Sequence, residues 1–259
     1  RIVFVIPYNN DFTLVGTTDK EYTGDPKAVA MDDDEESYLL KVVNAHFSQQ
    51  LTSDDIRWRY SGVRPLCDDE SDSPSAITRD YTLELESDEN QKAPLLSIFG
   101  GKITTYRKLS EAALAEIKPF FPAMGASWTA NSAITGGDIG DVSYHDWMTT
   151  IRETYPWINA PLLTRLTNAY GTKVHDLLAN ANCLNDLGEC LGADLHQQEV
   201  RYLVNNEWAR NADDVLWRRT KLGLHFNAQQ KLALETFIEM EKKAAPAPQP
   251  KSSLELQAS

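Results

Sequence analysis

Apolar and polar positions follow two rhythms along this chain, and the switch between them divides it. "IVFVIP" is almost wholly apolar and predicts a buried strand ended by Pro7; "YNND" carries turn residues, and "FTLVGTTD" predicts the returning strand of a hairpin. From Asp32 to Gln50 the pattern is helical. Acids crowd its first turn, where the positive end of the helix dipole favours them, and Leu39, Val42, Val43 and Phe47 recur at three- and four-residue steps. "IRWRYSGVRPL" predicts extended chain up to Pro65, followed by the polar loop "DDESDSPS". In "DYTLELES", Tyr81, Leu83 and Leu85 alternate with polar neighbours as in a half-exposed strand. "DENQK" turns, and "APLLSIF" is apolar enough for a strand covered on both faces. After Thr105 the period is helical again, with Tyr106, Leu109, Ala113 and Ile117 on one face and Pro119 as the stop.

From Val142 onward the pattern predicts helices only. Leu162, Leu166, Ala169 and Tyr170 give one stripe, and Val200, Leu203, Val204 and Trp208 another. "DDVLWRRTKLG" predicts a helix capped by Gly223, and Asn227 with Gln230 three residues on predicts a capping box opening a last helix through Met240. The expected fold class is therefore α+β followed by an all-α domain. Its parts are an α+β portion over 1–118, a linker over 119–141, a helical domain over 142–243 and a disordered Ala/Pro-rich tail over 244–259.

Composition narrows the classes. At 42% hydrophobic and 24% charged residues the chain is that of a soluble globular protein, and no apolar run approaches the span of a membrane helix. A formal net charge of −13 argues against nucleic acid as a partner. Three cysteines, Cys67, Cys183 and Cys190, form no CxxC pair, which fits a reducing compartment and buried or inert thiols. The acidic run from Cys67 to Asp72 lacks the glycine of a calcium loop and the five histidines are scattered, so no metal is expected. The chain opens without a Met, inside a strand pattern, and is read as a fragment with an upstream part missing.

Three stretches carry candidate chemistry. "FGGKITTYR", Phe99 to Arg107, runs a strand through two glycines into a helix start. Unpaired N–H groups at the positive end of a helix dipole suit an anionic or electron-rich ligand atom, and Gly100 and Gly101 leave room for a flat ring or a phosphate. Lys102 adds a full charge there, and Thr104 is placed to cap the helix. "YSGVRPL" sets Arg64 between a flexible glycine and a stiff proline, and "SAITRDYTLEL" sets Arg79 before a strand. Each stretch has an ordinary reading when taken singly: a strand–helix turn with a surface lysine, or arginines paired with local acids such as Asp68, Asp69 or Glu70. Taken as a trio of cations beside strand ends in an acidic domain, they suit a small phosphorylated anion. "WRRTKLG", Trp217 to Gly223, is expected to turn Trp217 and Leu222 inward and pair its arginines locally.

Together, "GTTD", "YSGVRPLCDDESDSPSAITRDYTLEL", "APLLSIFGGKITTYRKLSE" and "EWARNADDVLWRRTKLGL" resemble the aerobic, FAD-dependent glycerol-3-phosphate dehydrogenases of bacteria over nearly the whole chain. The resemblance implies a DAO-like fold, in which an FAD-binding Rossmann-like domain joins a substrate-binding sheet and a helical domain follows. It implies oxidation of sn-glycerol 3-phosphate to dihydroxyacetone phosphate. Electrons would pass through FAD to quinone, on an enzyme attached peripherally to the inner face of the cytoplasmic membrane. Arg64, Arg79 and Lys102 match substrate-pocket positions, with Arg64 or Lys102 at the reacting oxygen. Gly100, Gly101, Lys102, Ile103, Thr104 and Thr105 match a turn lying against the isoalloxazine ring. The family's G-x-G-x-x-G fingerprint has no counterpart here, so this chain alone is expected neither to retain FAD nor to turn over substrate. An oxygen-reducing glycerophosphate oxidase is the alternative within the class. Outside it stand a self-standing phospho-ligand-binding module and an interaction module, the latter docking to a partner, a membrane surface or a second copy as a homodimer.

Overall fold

The structure, a computed structural model, describes residues 2–64, 80–87 and 93–244. It divides into two units, Arg1–Ser132 and Ala133–Ser259. In the first unit, positive φ angles at Asn9 and Asn10 (49° and 65°) reverse the chain between β1 (Phe4–Tyr8) and β2 (Phe12–Gly16), which pair antiparallel from Phe4↔Gly16 to Tyr8↔Phe12. Asparagine tolerates this left-handed backbone because its short amide bonds locally. The first strand runs through Pro7 instead of ending there, and it is not buried: Phe4, Val5 and Ile6 are all exposed. A two-stranded ribbon by itself encloses little apolar surface.

Helix α1 (Asp33–His46) starts at Asp32 in a capping box, with the Asp32 carboxylate accepting from the Glu35 N–H and the Glu35 carboxylate from the Asp32 N–H. It stops four residues short of the expected Gln50. The Asn44 side chain bonds both the N–H and the C=O of Leu51, and the Gln50 amide donates to the carbonyls of Asn44 and Phe47, folding the chain back at the helix end. Residues 56–64, expected to be extended, form no regular element.

Strands β3 (Tyr81–Glu86) and β4 (Leu95–Gly100) pair antiparallel from Tyr81↔Gly100 to Glu86↔Leu95, and α2 (Tyr106–Ile117) packs on both. With α2 packed on this ribbon, β4, expected to be enclosed, still keeps Leu95, Ile98 and Phe99 exposed among the described residues. Among the described residues, Val43 is the one buried apolar side chain of the first unit.

The second unit holds the core. Helices α3 (Tyr144–Thr154), α4 (Ala160–Tyr170), α5 (Val174–Leu178), α6 (Gln197–Asn206) and α7 (Ala228–Ala244) surround Ile151, Leu163, Leu166, Leu177, Leu203, Leu216, Leu234 and Ile238, each nearly inaccessible to solvent. The unit is helical as expected, with one small hairpin the pattern hides, β5 (Cys190–Gly192) with β6 (Leu195–His196), turned by Ala193 and Asp194 at positive φ. In α4 the buried face is Leu162, Leu163, Leu166 and Tyr170, and Ala169 faces solvent. Trp208 lies beyond α6 with φ 56° and is 77% exposed, so it leaves the stripe assigned to it. Asp214–Arg219 forms a π-helical turn; the left-handed residue after it is Lys221, not Gly223. Gly223 instead lies flush against the Trp217 indole, 2.5 Å from where a Cβ would sit. Cys183 and Cys190 are exposed thiols, not buried ones. The loop from Cys67 to Asp72, the turn near Glu89 and the tail after Ala244 lie outside the described residues.

Candidate functional site

The double glycine sits where β4 hands over to α2, and both residues take positive φ, 71° at Gly100 and 94° at Gly101. Backbone of this kind excludes most side chains. Gly101 has a second reason to be bare: a Cβ there would lie 3.1 Å from Leu109 Cδ1 and 3.5 Å from Tyr81 Cβ, so the bend lets α2 close onto β3. On its outer side the bend is open. Ile103 is 90% exposed, Lys102 is exposed, and a short 3-10 turn over Ile103–Thr105 leads into α2. That helix start leaves the N–H groups of Ile103 and Thr104 without an intrahelical acceptor. The N-cap of α2 is Thr105, not Thr104, and its hydroxyl turns back into the bend: Thr105 Oγ1 donates to the Lys102 carbonyl at 2.9 Å and accepts a long bond from the Lys102 N–H. A bare, donor-rich, cation-bearing bend with an apolar rim fits the edge of a flat, electron-rich ring, which is the contact expected of FAD.

Arg64 stands on a different scaffold. Its Nη1 donates to Asp19 Oδ2 at 2.8 Å, and its side chain is 45% exposed. Asp19 follows the "GTT" end of the first ribbon, between Thr18, whose hydroxyl donates to Glu35, and Lys20, which pairs with Asp32. Arg59, five residues before Arg64, pairs with Glu36 at 2.6 Å. One helix start thus fastens both segments. The Lys20 ammonium, then the Glu35 N–H, hold the Asp32 carboxyl below its ordinary range, and Arg59, then the Ser53 hydroxyl, do the same for Glu36.

Of the sequence-predicted residues, 100–105 come together through the bend itself, and Arg64 joins Asp19; the acids Asp68, Asp69 and Glu70 lie outside the described residues. No hydrogen bond or ion pair among the described residues links Arg64 to Lys102. Arg79 lies outside the described residues. Sequence reasoning missed Asp19, although "GTTD" was singled out as a block; its partner lies 45 residues away, beyond any periodicity. Among the described residues no three His, Cys, Asp or Glu side chains gather as metal ligands, and no helix is long and apolar enough to cross a membrane.

The chain matches two family models in succession, FAD dependent oxidoreductase over residues 1–107 and the C-terminal domain of alpha-glycerophosphate oxidase over 127–245. It is 54% identical over 239 residues to the aerobic glycerol-3-phosphate dehydrogenase of Escherichia coli (strain K12), covering 92% of this chain and 47% of that protein. It is 51% identical over 241 residues to the glycerol-3-phosphate dehydrogenase of Pseudomonas aeruginosa, covering 93% and 47%. It is 44% identical over 239 residues to the D-erythritol 1-phosphate dehydrogenase of Brucella abortus (strain 2308), covering 92% and 47%. The chain therefore spans about half the length of the curated relatives it matches. In fold it is similar to the X-ray structure of the glycerol-3-phosphate dehydrogenase from Bacillus halodurans complexed with FAD, with TM-score 0.64 and 22% identity over 93% of this chain and 51% of that one. Matched in this order, the chain carries an FAD dependent oxidoreductase portion followed by the C-terminal domain of alpha-glycerophosphate oxidase.

Proposed function

We propose that this chain supplies the substrate-binding and C-terminal portion of an FAD-dependent dehydrogenase that oxidises sn-glycerol 3-phosphate to dihydroxyacetone phosphate. The observation that carries the reading is 54% identity, over 92% of the chain, to the aerobic enzyme of E. coli. When bound, FAD supplies the hydride acceptor. The rest falls to side chains. As hydride leaves C2, the hydroxyl loses its proton and negative charge builds on oxygen, so a fixed cation beside that oxygen lowers the barrier. Arg64 or Lys102 takes this part, and Arg79 holds the phosphate in a planar two-bond grip. In the full-length, FAD-loaded enzyme, Arg79→Ala is expected to raise KM for glycerol 3-phosphate with kcat little changed. An unchanged KM with a collapsed kcat would reverse the assignment.

The chain by itself lacks a dinucleotide fingerprint, and the reading has it neither keep flavin nor turn over. Purified chain carrying flavin absorbance near one per polypeptide contradicts this. The reading includes delivery of electrons to quinone at the inner face of the cytoplasmic membrane, supported by the likeness to the aerobic dehydrogenase; co-sedimentation of the full-length enzyme with liposomes and quinone-dependent turnover check it. The match to the alpha-glycerophosphate oxidase domain favours a second reading with oxygen as acceptor, for which hydrogen peroxide forms in step with substrate loss.

A further inference from the structure

We propose that Asp19 is a positioning residue for Arg64: tethered from the first turn of α1, its carboxylate holds one edge of the guanidinium so that the remaining N–H groups meet the substrate's oxyanion in one orientation. This rests on the reading that Arg64 serves that anion.

Three observations support it. First, the bond joins segments 45 residues apart, with Arg64 Nη1 donating to Asp19 Oδ2 at 2.8 Å. An arginine with 45% of its side chain exposed would otherwise sample many rotamers. Second, both partners are tied to the same place. Thr18 and Lys20, flanking Asp19, bind Glu35 and Asp32; Arg59, upstream of Arg64, binds Glu36. Asp32 and Glu35 also lock each other in the capping box, so the platform is itself rigid. Third, Arg64 uses one of its five donors on Asp19, and no other acceptor among the described residues takes the rest. A carboxylate beside an anion-binding arginine weakens its attraction for the anion. Such an arrangement is productive where fixed geometry contributes more than the lost charge, as it does for an oxyanion that exists only in the transition state.

The test uses two readouts. In the chain itself, side-chain nitrogen NMR of Arg64, assigned by its disappearance in Arg64→Ala, should show hindered rotation of the guanidinium. Asp19→Asn should relieve the hindrance and Asp19→Glu restore it. In the full-length, FAD-loaded enzyme, Asp19→Asn should lower kcat for glycerol 3-phosphate about tenfold, with KM changed less than about twofold and Asp19→Glu recovering most of the loss. Thr18→Val, which cuts the tether without altering either charge, should move kcat in the same direction by less. If Arg64→Ala leaves kcat/KM unchanged, the reading of Arg64 fails. If Arg64→Ala is damaging while Asp19→Asn is neutral or tightens substrate binding, the reading of Arg64 stands and Asp19 is a competitor for the anion, which overturns the proposal.

Discussion

Glu199 is 2% exposed, and its burial is tolerable because every oxygen is used. Arg165 reaches it with two bonds of 2.8 Å and adds Asp194, while the Tyr170 hydroxyl donates to the same carboxylate at 2.8 Å. Burial opposes the charge on Arg165, but Glu199 more than offsets it and leaves that guanidinium above its ordinary range. Burial, with the adjacent Glu199 carboxylate, pushes the Tyr170 hydroxyl upward too. Glu199→Ala is expected to destabilise the second unit by about 3 kcal/mol in denaturant titration, since it leaves Arg165 with Asp194 alone and the buried Tyr170 hydroxyl without its acceptor. Gly171→Ala tests a different residue-scale constraint. With φ 55° and a Cβ position only 1.9 Å from the Gly136 carbonyl oxygen, it should cost more than about 1 kcal/mol by thermal melting. Neither Glu199 nor Asp19 was legible in the sequence. Glutamate at a helix start and aspartate after a strand look like ordinary surface choices, and only the fold brings their arginines to them.

Elements were legible to the degree that their signals are local. The Asn227–Gln230 capping box forms as its spacing implies, with bonds of 2.9 and 3.0 Å, and Asn227→Ala should cost α7 about 1 kcal/mol in the same denaturant titration. The end of α1 was misplaced because Asn44 and Gln50 terminate it through side chains, which hydrophobic period cannot register. The turn after Asp214–Arg219 was misassigned for a related reason: Gly223 is needed for contact with Trp217, while Lys221 carries the left-handed backbone. The double-glycine bend was legible as a strand–helix junction, but its inner packing against Leu109 was not. The start of α1 also has a definite pH dependence. Asp32 and Glu36 have folded-state values below their unfolded ones, so the stabilisation they provide is complete above the ordinary carboxylate range and is lost as pH falls through and below it. Hydrogen exchange at the amides of residues 33–40 should accelerate in that acid window, relative to α4, and an unchanged ratio would argue that the Lys20 and Arg59 pairs contribute nothing there.

At the scale of the molecule, apolar burial is unevenly shared. Nearly all of the described core lies between Trp147 and Ile238, while the first unit encloses Val43 and leaves Phe4, Ile6, Ile98, Phe99, Ile103 and Trp128 in contact with solvent. The sequence showed that strands precede helices, and the apolar content of "APLLSIF" showed that this strand suits two covered faces. What periodicity has no means to show is whether the covering layer lies within the same chain. Protection from hydrogen exchange should accordingly be far higher in 133–244 than in residues 2–64, 80–87 and 93–132, and comparable protection in both would contradict the described burial.

The two ribbons of the first unit carry a practical consequence. Among the described residues each of β1, β2, β3 and β4 pairs on one side alone, which leaves four rows of backbone donors and acceptors that no described strand takes up and that can template another copy. Light scattering of the purified chain should therefore climb with concentration, and Thr82→Lys, a charge on the exposed side of β3, should delay the onset; scatter indifferent to that change would trace clumping to the greasy side chains instead of the ribbon rims.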